Sequence, residues 1–141
     1  MNLEHLNFEP EYVLKMSIKV PVRLLFILWV IAVTVLSVTS NPGSEGMLKS
    51  VKVTGSGFVI HCIAYFTGMS LCYWAFDRKD IVFILCSGFL IMLLSVVLEI
   101  VQLYLPTRTF NVYDVAANGV GIILFVVIWM MVFRRPEDVG T

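Results

Sequence analysis

The stretch IVFILCSGFLIMLLSVVLEIVQLYL, residues Ile81–Leu105, decides the fold. It is apolar throughout except for small hydroxyl and thiol side chains and the pair Glu99 and Gln102 near its end. A helix rises about 1.5 Å per residue, so about 20 apolar residues cross the hydrocarbon core of a bilayer. This run is long enough to do so. Three more runs of the same kind flank it: Val20–Val38, Phe58–Phe76 and Val115–Phe133. None alternates apolar and polar residues with period two, so a membrane β-barrel is excluded and helices remain. The expectation is an all-α integral membrane bundle of four transmembrane helices.

Composition agrees. Of 141 residues, 59% are hydrophobic and 14% charged, against about 45–50% and about 25% in soluble domains. That excess excludes a soluble enzyme and a disordered chain. Ten basic and ten acidic residues cancel, which leaves no electrostatic footprint for nucleic acid. The breaks between runs have physical causes. Ser40-Asn41-Pro42-Gly43 is a turn signal, and Asp77-Arg78-Lys79-Asp80 is too charged for hydrocarbon. Pro106 lacks an amide proton and ends the third helix. Asp114 is expected to cap the fourth. The expected organisation is an N-terminal tail at 1–19, a four-helix domain at 20–133 and a C-terminal tail at 134–141.

Lysine and arginine placement orients the bundle. With the N-terminus in the cytoplasm, the inner segments carry Lys15, Lys19, Arg23, Arg78, Lys79, Arg134 and Arg135, and the outer loops carry Lys49, Lys52 and Arg108. Seven against three places both termini inside. Trp74 and Trp129 then mark the cytoplasmic interface, and Tyr104, Phe110 and Tyr113 the outer one. Glu4, Glu9 and Glu11 ahead of the first run, with no Ala-x-Ala site after it, argue for a retained helix rather than a signal peptide. Leu6, Val13, Met16 and Val20 share roughly one face, so Leu3–Lys19 reads either as a helix lying on the membrane or as a loose tail.

Several side chains do not belong in lipid. His61 lies in the first turn of helix two. Glu99 and Gln102 are i,i+3 neighbours near the end of helix three, and Asp114 and Asn118 are i,i+4 neighbours at the start of helix four. Arg108 stands in the loop between. Because the chain reverses at each crossing, all of these gather on one membrane face, which is extracytoplasmic if the N-terminus is inside. At about 1.5 Å per residue, His61 and Asn118 lie roughly 5 Å deep and Glu99 about 9 Å. Each also has a structural explanation. Glu99 pairs with Arg108 or serves a ligand. Asp114 caps a helix or faces the cluster. Asn118 ties helices together or binds. His61 bonds a backbone carbonyl or is the candidate catalytic acid or base. The spacings Ala117/Gly121 and Ala64/Gly68 favour close helix contact, expected to draw helices two, three and four around the cluster. Cys62, Cys72 and Cys86 match no zinc spacing and read as small apolar fillers. No metal and no cofactor is expected, and no nucleophile motif is present.

The run Glu99-Ile-Val-Gln102-Leu-Tyr-Leu-Pro106-Thr-Arg108-Thr-Phe-Asn-Val-Tyr-Asp114-Val-Ala-Ala-Asn118-Gly119-Val-Gly121 resembles the VanZ-like family. The likeness lies in Glu, two spacers, Gln, a Pro-x-Arg loop, then Asp, three spacers, Asn-Gly and a further Gly. His61 with Tyr65 resembles the family's other marker. The Asp-Lys pair that often precedes that histidine in the family is missing here, where Thr54-Gly-Ser-Gly-Phe58 stands with Lys52 upstream. The resemblance implies a small four-helix protein of the bacterial cytoplasmic membrane. The family's founding member is linked to low-level resistance to the glycopeptide teicoplanin.

Three functions are then open. In the first, the protein binds or handles a membrane lipid or lipid-linked envelope precursor, with Glu99, Gln102, Arg108, Asp114, Asn118, His61 and Tyr65 as ligand-binding residues. In the second, it is a structural subunit of a larger assembly with a membrane-protein partner. In the third, it is an intramembrane enzyme on a lipid-linked headgroup, using His61 as acid or base.

Overall fold

The computed structural model describes residues 10–39, 56–105 and 110–132. They form four helices: α1 Pro10–Val38, α2 Ser56–Ala75, α3 Ile81–Gln102 and α4 Val112–Val132. Among the described residues there is no strand. Each helix contains a window long and apolar enough to cross a membrane, from Lys19–Val38 through Val112–Val132. The chain is therefore an all-α, multi-pass membrane protein. α1 starts at Pro10 and runs unbroken through Pro21, so residues 10–18 of the expected tail are helical and lie ahead of the membrane-capable window, which begins at Lys19. Residues 1–9 and 134–141, with Arg134 and Arg135, lie outside the described residues.

Outward faces are apolar, as lipid requires. Leu24, Leu28, Ile63, Leu85, Phe89 and Ile123 are all exposed. Two hydroxyls on the helices are satisfied locally: Thr34 Oγ1 donates to the Val30 carbonyl at 2.8 Å and Ser70 Oγ to that of Phe66 at 2.9 Å. Such back-bonding lets a polar side chain sit in hydrocarbon without an orphaned donor.

α2 packs against all three other helices, whereas α1 and α4 stand diagonally with little mutual contact. The small residues set these approaches. A Cβ on Gly121 would come within 2.2 Å of the Cys62 carbonyl oxygen, so α4 lies backbone-to-backbone on α2. Ala117, one turn earlier, is fully buried on the same seam. The Ala64/Gly68 pair of α2 takes a different neighbour from the one expected. It receives Trp29 of α1, whose indole N–H donates to the Ala64 carbonyl at 3.0 Å and whose ring lies on Gly68.

At the end of the bundle near Asp77, charges finish the helices. Arg23 Nε donates to the orphan carbonyl of Ala75 at 2.9 Å, and Lys19 donates to Asp77. Lys79 donates to the Tyr73 carbonyl and sits 3.6 Å over that tyrosine's ring. Burial lowers the Lys79 pKa from its ordinary value, with repulsion from Lys19 adding to it. Asp80 caps α3 by accepting from the Phe83 N–H at 3.3 Å. Trp74 is exposed here, but Trp129 is buried in the core with its indole N–H unpartnered among the described residues. It is a packing residue rather than the interfacial anchor expected. Of the cysteines, Cys72 is buried and Cys86 faces outward, so Cys86 fills no gap.

Candidate functional site

At the opposite end, between all four helices, lies a cavity of about 430 Å³. Its residues come in regular strides. α3 buries Ile84, Ser87, Gly88, Ile91, Ser95, Leu98, Glu99 and Gln102, one stripe at helical spacing whose last two turns are polar. α4 buries Ala117, Asn118, Gly121, Ile122, Phe125 and Trp129, with Asn118 at the cavity end. Five polar side chains are buried among the described residues, and Ser95, Glu99, Gln102 and Asn118 of these line the cavity, while Ser87 does not.

The structure brings together His61, Tyr65, Glu99, Gln102, Asp114 and Asn118 on this cavity. Arg108 lies outside the described residues, and so does the expected Glu99–Arg108 pairing. Glu99 is 3% exposed and its Oε2 accepts the backbone N–H of Asn111 at 3.3 Å. Asn118, 2% exposed, is the hub of the polar wall. Its Nδ2 donates to Ser95 Oγ at 2.7 Å, and its Oδ1 lies 3.0 Å from His61 Nδ1. A carbonyl oxygen only accepts, so His61 carries its proton on Nδ1 and turns Nε2 toward Asp114, whose Oδ2 is 3.8 Å away. One asparagine thereby joins α2, α3 and α4 and fixes the imidazole's orientation. Tyr65 lines the same wall beside Ser95. Among the described residues, no three His, Cys, Asp or Glu side chains are grouped to hold a metal ion.

Two features differ from the reading of the sequence. The cap of α4 is Asn111, not Asp114. Asn111 Oδ1 accepts from the Tyr113 N–H at 3.1 Å, and its carbonyl accepts from that of Asp114 at 3.0 Å. Asn and Asp are equally good caps; with the helix starting a turn earlier, the Asp114 carboxylate is released to line the cavity. Asn111→Ala is expected to lower stability by about 1 kcal/mol through loss of that cap, read as a modest fall in melting temperature. The second difference is α1, which supplies Val33, Leu36 and Ser37 to the cavity, where three helices alone were expected. Ser95 was also missed. Its i,i+4 relation to Glu99 is the signal that would have found it. Ser95→Ala leaves the buried Asn118 amide short of a partner, at a cost of about 1–3 kcal/mol, again measured by thermal denaturation.

The cavity has two kinds of wall. Val33, Leu36, Ile60, Ala64 and Leu98 are apolar, and His61, Tyr65, Ser95, Glu99, Gln102, Asp114 and Asn118 are polar. Such a site holds a ligand with both characters. No curated protein and no solved structure gives a significant match to the chain. The family model described as VanZ/LLP1 matches residues 5–134. That stretch takes in all four helices and every described residue of the cavity, and the chain belongs to the VanZ/LLP1 family.

Proposed function

We propose that this multi-pass VanZ/LLP1 protein binds the hydroxyl-rich head of an amphiphilic bacterial envelope component in its four-helix cavity. The observation that carries the reading is Glu99, a carboxylate buried at membrane depth that lines an amphipathic cavity rather than a packed core. A charge inside a span costs a few kcal/mol, so such residues mark functional sites by default. Carboxylates only accept hydrogen bonds, and ligand hydroxyls donate to them in short, charge-assisted contacts. Glu99 and Asp114 supply those acceptors, Gln102 and Asn118 add amides, and Arg108 is assigned to a phosphate or carboxylate on the same ligand. The proposed membrane is the bacterial cytoplasmic membrane, with both termini inside and the cavity on the outer side. Changed susceptibility to teicoplanin is the cellular consequence this reading carries.

Native mass spectrometry of the protein released from mild detergent tests it. A discrete hydroxyl-rich lipid adduct on the wild type is expected, and a bare protein contradicts it. One observation favours a second reading, a scaffold for a membrane-protein partner. Asn118 bridges three helices, as interhelical glue does. That reading expects Glu99→Gln to lose the fold, whereas ligand binding expects it to lose only the ligand.

A further inference from the structure

We infer, building on the head-binding reading above, that Trp29 is the floor of the cavity's apolar wall and sets the length of the apolar chain the site accepts. The helix directions order the lining residues by depth. The deepest are Val33 on α1, Ala64 and Tyr65 on α2, Ser95 on α3 and Asn118 on α4. Beneath the polar wall, the Ser95–Asn118 hydrogen bond closes the cavity, and Ile91 and Ile122 are buried one turn deeper. Beneath the apolar wall, one turn below Val33, stands Trp29.

Trp29 is held from four directions. Its N–H donates to the Ala64 carbonyl at 3.0 Å. Its ring meets Tyr65 edge-on at 5.7 Å and stacks on Phe26 at 6.1 Å. Its benzo edge fills the space a Cβ would take at Gly68, coming to 2.3 Å of that position. A chain running down Val33 and Ala64 would therefore meet the fixed Trp29 side chain before going deeper. Gly68 has no side chain to replace that ring. Removing it deepens the apolar wall by about one helical turn, ~5 Å, room for roughly four more methylenes. The ligand this assigns is an amphiphile whose head bonds the polar wall and whose chain packs on α1 down to Trp29.

The test is titration calorimetry of the full chain in lipid nanodiscs, with protein-free nanodiscs as blank. The probes are glucose and the n-alkyl glucosides from butyl to decyl, below micelle formation. Wild type is expected to bind glucosides more tightly than glucose up to one optimum length and more weakly beyond it. Trp29→Ala moves the optimum to longer chains. Val33→Phe, which adds volume just above the floor, moves it to shorter ones and stands as the test if Trp29→Ala fails to fold. An affinity without an optimum in wild type, or the same optimum in the folded variants, overturns the floor while head binding stands. No binding by any member, glucose included, overturns the head-binding reading and this inference with it.

Discussion

Gly121→Val is expected to leave little folded protein. A Cβ at this position would lie 2.2 Å from the Cys62 carbonyl oxygen, 3.1 Å from the Cys62 carbonyl carbon and 3.0 Å from the Phe66 nitrogen. All three are backbone atoms of α2, and no flexible side chain can give way. The valine must push α4 off α2, the most intimate seam of the bundle, and with it Asn118, one turn away on the same helix. Overpacking of a tight core costs about 1–3 kcal/mol, and separation of two transmembrane backbones belongs at the upper end, since close approach of small residues is what holds such helices together. Size-exclusion chromatography in detergent should show aggregation or a large loss of the folded peak. Gly57→Val is the control, because nothing lies within 4 Å of a Cβ there; it should elute as wild type does. A folded Gly121→Val would mean that α2 and α4 do not meet at this point.

Glu99→Gln is expected to separate ligand binding from folding. Glutamine keeps the shape and an oxygen that can accept the Asn111 N–H. It removes the charge that strengthens contacts to ligand hydroxyls. Hydrogen bonds to charged groups are worth about 1.5–3 kcal/mol against about 0.5–1.5 for neutral ones, and each 1.4 kcal/mol is tenfold in affinity, so binding should weaken about tenfold. The melting temperature should stay close to that of wild type. In cells, the same substitution should erase any teicoplanin phenotype that the wild-type protein confers, at equal protein level.

The membrane architecture was legible because hydropathy acts over whole helices. Four long apolar runs, broken by Asn41-Pro42-Gly43 and by Asp77-Arg78-Lys79-Asp80, leave a chain few other folds. The gathering of His61, Glu99, Gln102, Asp114 and Asn118 was legible too, because antiparallel spans bring alternate ends together. Local choices between equivalent chemistries were not. Asn111 and Asp114 are both good caps three residues apart; Asn111 takes the cap, and Asp114 approaches His61 across the cavity. Nothing in the spacing of Ser95 alone shows that Asn118 of another helix reaches it. The cavity end of α1 carries no charged residue to mark it. Its share of the cavity follows from Trp29 fitting Gly68, a match of shape that periodicity does not encode. Trp129 looked like an interfacial anchor for the same reason: position along the helix is readable, but its direction depends on the neighbours.

The most direct test of the central claim is side-by-side native mass spectrometry of wild type and Glu99→Gln, purified from the same bacterial membranes and matched for melting temperature. The wild type should carry a discrete hydroxyl-rich amphiphile, identified by tandem fragmentation, and the folded Glu99→Gln protein should carry much less of it. Equal occupancy in the two proteins, or no amphiphile on either, would contradict a ligand site built around Glu99.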